Sequence, residues 1–171
     1  MGLETEIKAI LQNAGTGLKV YRPAAPDVVA ATTIFTITGG LVLVTSLVGI
    51  VTVIRVGGAG ATQALTFSVG PTALHTPALA VTGNATVGTM FTITGDPGDA
   101  LVVGVGTGVL NTAPPIQGGL QGSALTGIQQ FGMIMGVGLI QVAHSAIGVA
   151  PIGQTRYILT YIPLDMGAVV T

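Results

Sequence analysis

The chain has 171 residues, which is enough for one domain with a substantial core, so folding does not require a disulfide or a metal. It has no cysteine, which excludes disulfides, thiolate metal sites and cysteine nucleophiles. Only 6% of the residues are charged and 49% are hydrophobic, whereas an ordinary soluble domain has about 25% charged residues. We infer that other protein or lipid covers much of the surface.

The basic residues argue against direct binding of nucleic acid. They are scattered along the chain at Lys8, Lys19, Arg22, Arg55 and Arg156. A nucleic-acid groove needs clustered cations to neutralise phosphates. We therefore expect no nucleic-acid partner.

The first predicted element is a short amphipathic helix over residues 3–13. Leu3, Ile7, Ile10 and Leu11 form one apolar stripe at helical spacing. The stretch "GTGLKVYRPAAPD" follows, and its two prolines indicate an extended arm. The chain is thus predicted to divide into a helix and docking arm at 1–27 and a β-sandwich domain at 28–171.

A long apolar stretch raises the question of a membrane span. Val28 to Ile54 contains no charged side chain, and a transmembrane helix needs about 20 apolar residues. Thr, Val and Ile dominate the stretch, however, and these residues favour strands. No cluster of Lys or Arg and no belt of Trp or Tyr flanks it. Strands are the preferred interpretation, and a span over residues 39–54 is the alternative.

Alternation within this stretch predicts individual strands. Phe35 and Ile37 are expected to point to one face, with Thr36 and Thr38 on the other, and Gly39-Gly40 is expected to form a hairpin turn. The following "LVLVTSLVGIVTVIR" predicts two strands with a break near Thr45-Ser46 or Gly49.

The remaining sequence repeats this rhythm of strand and turn. "FTITG" occurs at 35–39 and again at 91–95, so Phe91 and Ile93 are predicted to join the core, with Thr92 and Thr94 on the opposite face. "TRYILTYIPLDMGAVV" predicts a strand near the end in which Tyr157, Leu159 and Tyr161 alternate with Ile158, Thr160 and Ile162. The predicted fold is all-β, a β-sandwich or jelly-roll-like barrel with a short N-terminal helix and an extended arm.

Candidate catalytic and metal-binding residues are few. Asp96 and Asp99 bracket a Pro-Gly turn without the pattern of a calcium loop. His75 and His144 are far apart in sequence, and two nitrogens alone leave a zinc site incomplete. Ser145 lacks the glycine pattern of a nucleophile elbow, and no phosphate-binding loop is present. We expect no catalytic, cofactor or metal site.

Three segments resemble a group of small structural proteins of tailed bacteriophages. "TTIFTITGGLVLVTSLVGIVTVI" resembles their opening strands, and "GTMFTITGDPGDALVVG" and "YILTYIPLDMGAVV" resemble their later part. The segment "MIMGVGLIQVAHSAIG" departs from the pattern because it is more apolar.

The resemblance implies a capsid decoration (cement) protein, a β-sandwich that is often trimeric and lies over joints between major capsid proteins. The implied partners are the major capsid protein and further copies of this chain, and the implied location is the capsid surface, with the host cytoplasm during assembly. The residues expected to dock onto a neighbour are Leu3, Ile7, Ile10, Leu11, Tyr21 and Arg22. A tail or neck component is the second structural interpretation, an integral membrane protein is less favoured, and an enzyme is the least favoured.

Overall fold

The computed structural model describes residues 17–56, 62–69, 72–75, 79–80, 85–92, 102–104, 133–145 and 152–171. Every regular element in these ranges is a β-strand, and the strands form two antiparallel sheets. The all-β prediction is therefore confirmed. The predicted helix over residues 3–13 lies outside the described residues, as do Ile93, Thr94, Asp96 and Asp99.

The described strands belong to two sheets, and the chain crosses between the sheets several times. They are β1 (Leu18–Pro26), β2 (Thr32–Thr38), β3 (Val42–Val56), β4 (Thr62–Val69), β5 (Thr72–His75), β6 (Leu79–Ala80), β7 (Met90–Thr92), β8 (Val102–Gly104), β9 (Met133–Met135), β10 (Gly138–His144), β11 (Ile152–Pro163) and β12 (Val169–Val170). Sheet A has the order β1-β11-β3-β7-β8, and β9 also pairs with β3. Sheet B has the order β12-β2-β10-β4-β5, and β6 also pairs with β4.

One hydrophobic core receives side chains from both sheets. Sheet A contributes residues of β3, β9 and β11, and sheet B contributes residues of β2, β4 and β10. Phe35 and Ile37 are buried whereas Thr38 is exposed, as the alternation predicts. In β11, Tyr157, Leu159 and Tyr161 are buried, which confirms the second predicted alternation. Two sheets that share one core in this way are consistent with a β-sandwich.

The prediction of a hairpin at Gly39-Gly40 is wrong. Both glycines have positive φ, at 77° and 146°, but they connect β2 of sheet B to β3 of sheet A. The chain changes sheet here because β3 pairs with β11 and not with β2. Asp165 fixes the connection, since its Oδ2 accepts a hydrogen bond of 2.7 Å from the Leu41 backbone N–H.

The apolar stretch after this connection forms one strand, not the two that were predicted. The register of β3 against β11 shifts in three places, and at two of them Thr45 and Thr52 are extra residues on β3 that form β-bulges. The Thr45 hydroxyl donates to the Thr160 carbonyl oxygen, and the Thr52 hydroxyl donates to the Gln154 carbonyl oxygen, both at 3.2 Å. Thus a bulge replaces the break expected near Thr45, and threonine hydroxyls add bonds where the ladder is irregular.

The predicted extended arm is, over its described residues, an edge strand of the chain's own sheet A. β1 pairs antiparallel with β11 from Leu18 to Pro26, with an irregularity between Arg22 and Ala25. The stretch 39–54 lies largely in β3, and the described part of the chain contains no helix long and apolar enough to cross a membrane.

The two "FTITG" copies occupy different environments. The first copy lies in β2 of sheet B, whereas the second begins in β7 of sheet A. Phe91 is buried as predicted, but it packs in a small separate cluster with Val51 and Ala85. Thr92 pairs with Val48 and so lies on the face opposite Phe91, as predicted, although it is buried there. A repeated sequence therefore does not mark equivalent positions in this fold.

Candidate functional site

A buried ion pair lies at one end of the space between the sheets. Arg55, near the end of β3, is only 1% exposed, and its Nε donates to Asp27 Oδ2 at 2.7 Å. Asp27 follows β1 directly and is also buried. Burying two charges costs several kcal/mol per ion unless each has a well-placed partner, so the surroundings of this pair determine whether it is stable.

Further polar side chains complete the coordination of the guanidinium. Arg55 Nη1 donates to Gln63 Oε1 at 3.0 Å, and Nη2 donates to Thr155 Oγ1 at 3.0 Å. The Thr155 hydroxyl in turn donates a hydrogen bond to Asp27 Oδ1, also at 3.0 Å. Gln63 Nε2 donates to the Tyr157 hydroxyl at 3.3 Å. The planar guanidinium can reach three directions at once, which a lysine ammonium on a single flexible stem cannot reproduce.

His144 is the remaining side chain that contacts Arg55, and its hydrogen-bond partners define its tautomer. Its Nε2 is 3.2 Å from Arg55 Nη2, and its Nδ1 is 3.1 Å from the Val28 carbonyl oxygen. A guanidinium only donates and a carbonyl oxygen only accepts, so Nε2 must be unprotonated and Nδ1 must carry the hydrogen. Burial, assisted by the positive charge of Arg55, lowers the pKa of His144 below its ordinary value, while Asp27 and the Val28 carbonyl oppose this shift.

These side chains connect the two sheets, and we refer to them together as the Arg55 network. Arg55, Thr155 and Tyr157 lie on sheet A, and Asp27 follows β1 of the same sheet. Gln63 and His144 lie on sheet B. The Tyr157 hydroxyl, whose pKa burial raises further above its ordinary value, is neutral and accepts a hydrogen bond from Gln63. The network therefore bridges the sheets with polar bonds where the hydrophobic core ends.

Close backbone packing surrounds the ion pair. A Cβ atom at Gly153 would lie 2.9 Å from Asp27 Oδ2 and 3.0 Å from Arg55 Cα, so glycine is needed for this approach. On another side, the Arg55 guanidinium carbon lies 5.1 Å from the centroid of the Phe91 ring, within the range of a cation–π interaction. The ring also shields the charge from water.

A small cavity adjoins the network. It has a volume of about 20 Å³ and lies against Arg22, Asp27, Val28, Thr32 and His144. That volume holds roughly one water molecule. Among the described residues, every buried side-chain nitrogen or oxygen has a hydrogen-bond partner. The arrangement is thus suited to cohesion between the sheets.

The structure places the sequence-predicted residues as follows. Tyr21 is 65% exposed on β1, and Arg22 is half-buried beside the cavity. Leu3, Ile7, Ile10 and Leu11 lie outside the described residues. The docking role assigned to all six stays a prediction.

The residues considered for chemistry are not brought together. The exposed Ser145 hydroxyl accepts a bond of 2.9 Å from the Thr62 backbone N–H, while both ring nitrogens of His144 are bound elsewhere. His75 lies in β5. Within the described ranges, no group of three or more His, Asp or Glu side chains is placed to hold a metal ion.

Sequence reasoning missed the Arg55 network, although one signal pointed to it. Asp27 and Arg55 are the charged residues immediately before and after the uncharged stretch Val28 to Ile54. Two opposite charges that bracket an apolar run of strands are candidates to pair when the run folds back. Gln63, His144 and Thr155 belong to no recognisable motif, and only the tertiary fold brings them to Arg55.

The outer face of sheet A carries two rows of apolar side chains. On sheet A, Ile134, Leu43 and Ile162 lie side by side across β9, β3 and β11. Tyr21, Ile158 and Val48 form a parallel row across β1, β11 and β3. We call these six residues the apolar face.

Between the two rows of the apolar face lies a row of Lys19, Thr160 and Ser46. The outer face of sheet B carries uncharged polar side chains such as Thr33, Thr66, Ser68 and Gln141, together with the apolar Leu139.

Comparison with known proteins found no family model, no curated protein and no solved structure that matches this chain.

Proposed function

We propose that this chain is a non-enzymatic structural protein of a tailed-bacteriophage virion. In this proposal it is a β-sandwich decoration protein that binds as a homo-oligomer across joints between major capsid proteins. The sequence resemblance suggests the virion, and the apolar face suggests how the subunit attaches.

The apolar face is the observation that supports an adhesive role. Ile134 and Tyr21 are each 65% exposed, and Ile162 is 37% exposed. The face is two apolar rows separated by the row of Lys19, Thr160 and Ser46. Exposed apolar patches bordered by polar residues favour surfaces that another molecule covers. Permanent interfaces are more apolar than transient ones and bury about 2,000 to 5,000 Å². A face of this kind suits a subunit that stays attached to its neighbours.

The low charge of the chain supports the same proposal. Only 6% of the residues are charged, and Asp27 and Arg55 are buried against each other. These two charges are therefore withdrawn from the surface, which makes the exposed part of the protein poorer in charge than its composition suggests. Such a surface is poorly solvated alone and well suited to burial in a symmetric assembly.

The first test removes apolar contacts from the apolar face. Ile134→Ser combined with Ile162→Ser is expected to reduce assembly at least tenfold while the β-type circular dichroism spectrum is retained, because both side chains are already exposed in the subunit. Sedimentation velocity would measure the oligomer, and cosedimentation with empty heads that lack the protein would measure capsid binding.

Val169→Ser is the matched control, because Val169 is 42% exposed but lies on sheet B. We expect it to assemble as the wild type does. Capsid binding unchanged in the double variant would rule out the apolar face as the attachment surface. A ring or tube of fixed stoichiometry would instead indicate a tail or neck component, and material soluble only in detergent would favour the membrane alternative.

The second test concerns the predicted docking segment. Ile7→Ser combined with Leu11→Ser is expected to weaken assembly and to leave the isolated fold intact, because it removes two residues of the predicted apolar stripe. The same cosedimentation assay measures the effect. Full capsid binding by this variant would contradict the assigned role of the segment.

A further inference from the structure

We propose that the Arg55 network is an acid-sensitive latch. It holds the connection between β1 and β2, residues 27–31, against both sheets, and it releases that connection when His144 takes up a proton. This proposal concerns the fold of the subunit and does not depend on the proposed virion role.

The connection is attached to the rest of the fold at its first two residues. Asp27 binds Arg55 and Thr155 through its carboxylate, and its backbone N–H donates to the Gly153 carbonyl oxygen at 3.0 Å. The Val28 carbonyl accepts from His144 at 3.1 Å. Beyond these bonds the connection faces solvent, with Val28 and Val29 both more than 40% exposed. The network therefore provides the main described bonds that anchor residues 27 and 28.

Protonation of His144 is incompatible with this arrangement. Nε2 would become a donor that faces the donor Nη2 of Arg55 across 3.2 Å, so a hydrogen bond would be replaced by repulsion between two cations. Arg22 lines the same cavity as a third positive group. The Tyr157 hydroxyl, in the same network on β11, is neutral at the pH values where a histidine titrates, and burial raises its pKa further.

Among the described residues, Asp27 is the one that offers negative charge to His144. Its Oδ1 lies 3.6 Å from His144 Nε2 but already accepts from Thr155, and its Oδ2 accepts from Arg55. If the carboxylate turned toward the imidazolium, Arg55 would lose its counter-ion inside the protein. If the carboxylate stayed with Arg55, the imidazolium of His144 would have no counter-ion. Either outcome breaks a bond that anchors the connection, and the adjoining cavity gives water a place to enter.

The direction of the pH dependence follows from the lowered pKa of His144. The unfolded or opened chain takes up the proton near the ordinary value of 6.5, whereas the closed form takes it up only at lower pH. Between these two values the opened form binds more protons. The latch is therefore fully closed above about pH 6.5 and weakens steadily as the pH falls below it.

Hydrogen exchange measured by mass spectrometry tests the latch in the full chain. We expect the opening equilibrium of peptides covering residues 18–31 to rise at least tenfold between about pH 7.5 and about pH 5, after correction for the intrinsic exchange rate. Peptides within 42–48, in the middle of sheet A, should change much less. Equal changes in both regions, or no change in either, would overturn the proposal.

Two variants assign the effect to one histidine. His144→Gln keeps an acceptor for Arg55 and a donor for Val28 but does not titrate, so residues 18–31 should lose their pH dependence. His75→Gln is the matched control and should retain it. If His144→Gln behaves as the wild type does, the latch does not depend on His144.

Nitrogen-15 NMR of the wild-type imidazoles provides a test that needs no folded His144 variant. The His75→Gln spectrum identifies the His144 resonances. We expect the Nδ1–H tautomer at neutral pH and a titration midpoint below 6.5. The Nε2–H tautomer, or a midpoint at or above 6.5, would overturn the proposal.

Discussion

Arg55→Ala is expected to lower the free energy of unfolding by about 3–5 kcal/mol, which is a large part of the stability of a domain. The change leaves the Asp27 carboxylate buried without its cation, and it removes the donors that satisfy Gln63 and Thr155. The cation–π contact with Phe91 is lost as well. The cost arises mainly from the partners that remain, since a buried unpaired charge is much less stable than a solvated one.

Urea denaturation followed by circular dichroism measures this change, with Arg156→Ala as the control. Arg156 is an exposed residue of β11 in the same sheet, so its replacement should change stability by no more than about 0.5 kcal/mol. Arg55→Lys should recover only part of the loss, because one ammonium cannot reach Asp27, Gln63 and Thr155 together. Equal stability of the Arg55→Ala and Arg156→Ala proteins would show that Arg55 is not the centre of a buried network.

A double-mutant cycle separates the ion pair from the rest of the network. Asp27→Asn removes the negative charge and leaves the buried guanidinium without a counter-ion. Combined with Arg55→Ala, it should cost less than the two single changes added together, because the second replacement no longer strands a charge. Additive costs would mean that Asp27 and Arg55 stabilise the fold independently.

The sequence predicted those parts of the fold that depend on local periodicity. Phe35, Ile37, Leu159 and Tyr161 are buried because side chains of a strand alternate between faces, and this alternation is visible in the sequence. The β-branched and threonine-rich composition likewise favours strands without reference to the tertiary fold. The all-β class could therefore be predicted from short segments.

Pairing between strands could not be predicted in the same way. Gly39-Gly40 has the composition of a hairpin turn, yet the chain changes sheet there because β11, more than 100 residues later, is the partner of β3. The same partner keeps β3 continuous through its bulge at Thr45. Short sequence windows contain no information about a partner so far along the chain, so both predictions were wrong for one reason.

The Arg55 network shows the same limit for the candidate site. Its hydrogen bonds join Arg55 to Asp27 across 28 positions and to Thr155 across 100 positions. In the sequence the basic residues are only scattered positions, whereas the tertiary fold buries Arg55 almost completely. Only the position of Asp27 and Arg55 at the two ends of the uncharged stretch hints at their pairing.

The connection between the sheets gives the second large expected effect. Gly39→Ala is expected to lower the free energy of unfolding by about 2–5 kcal/mol, as the sum of two costs. Gly39 has a φ of 77°, which is unfavourable for any residue with a Cβ atom. In addition, a Cβ atom here would overlap the carbonyl oxygen of Gly167, so the turn at 164–168 would have to move.

Gly167→Ala isolates the cost of placing a residue with a Cβ atom at positive φ. Gly167 has a similar φ of 89°, but a Cβ atom there would meet no other atom within 4 Å. Its replacement should cost only about 1–2 kcal/mol, and the difference between the two variants in urea denaturation measures the steric part. Equal losses would mean that the two loops are not in contact at Gly39. A larger loss of stability for Gly39→Ala would show that residues 39–41 pack on residues 164–168. This packing, together with the hydrogen bond from Leu41 to Asp165, then holds the connection from sheet B to sheet A in place.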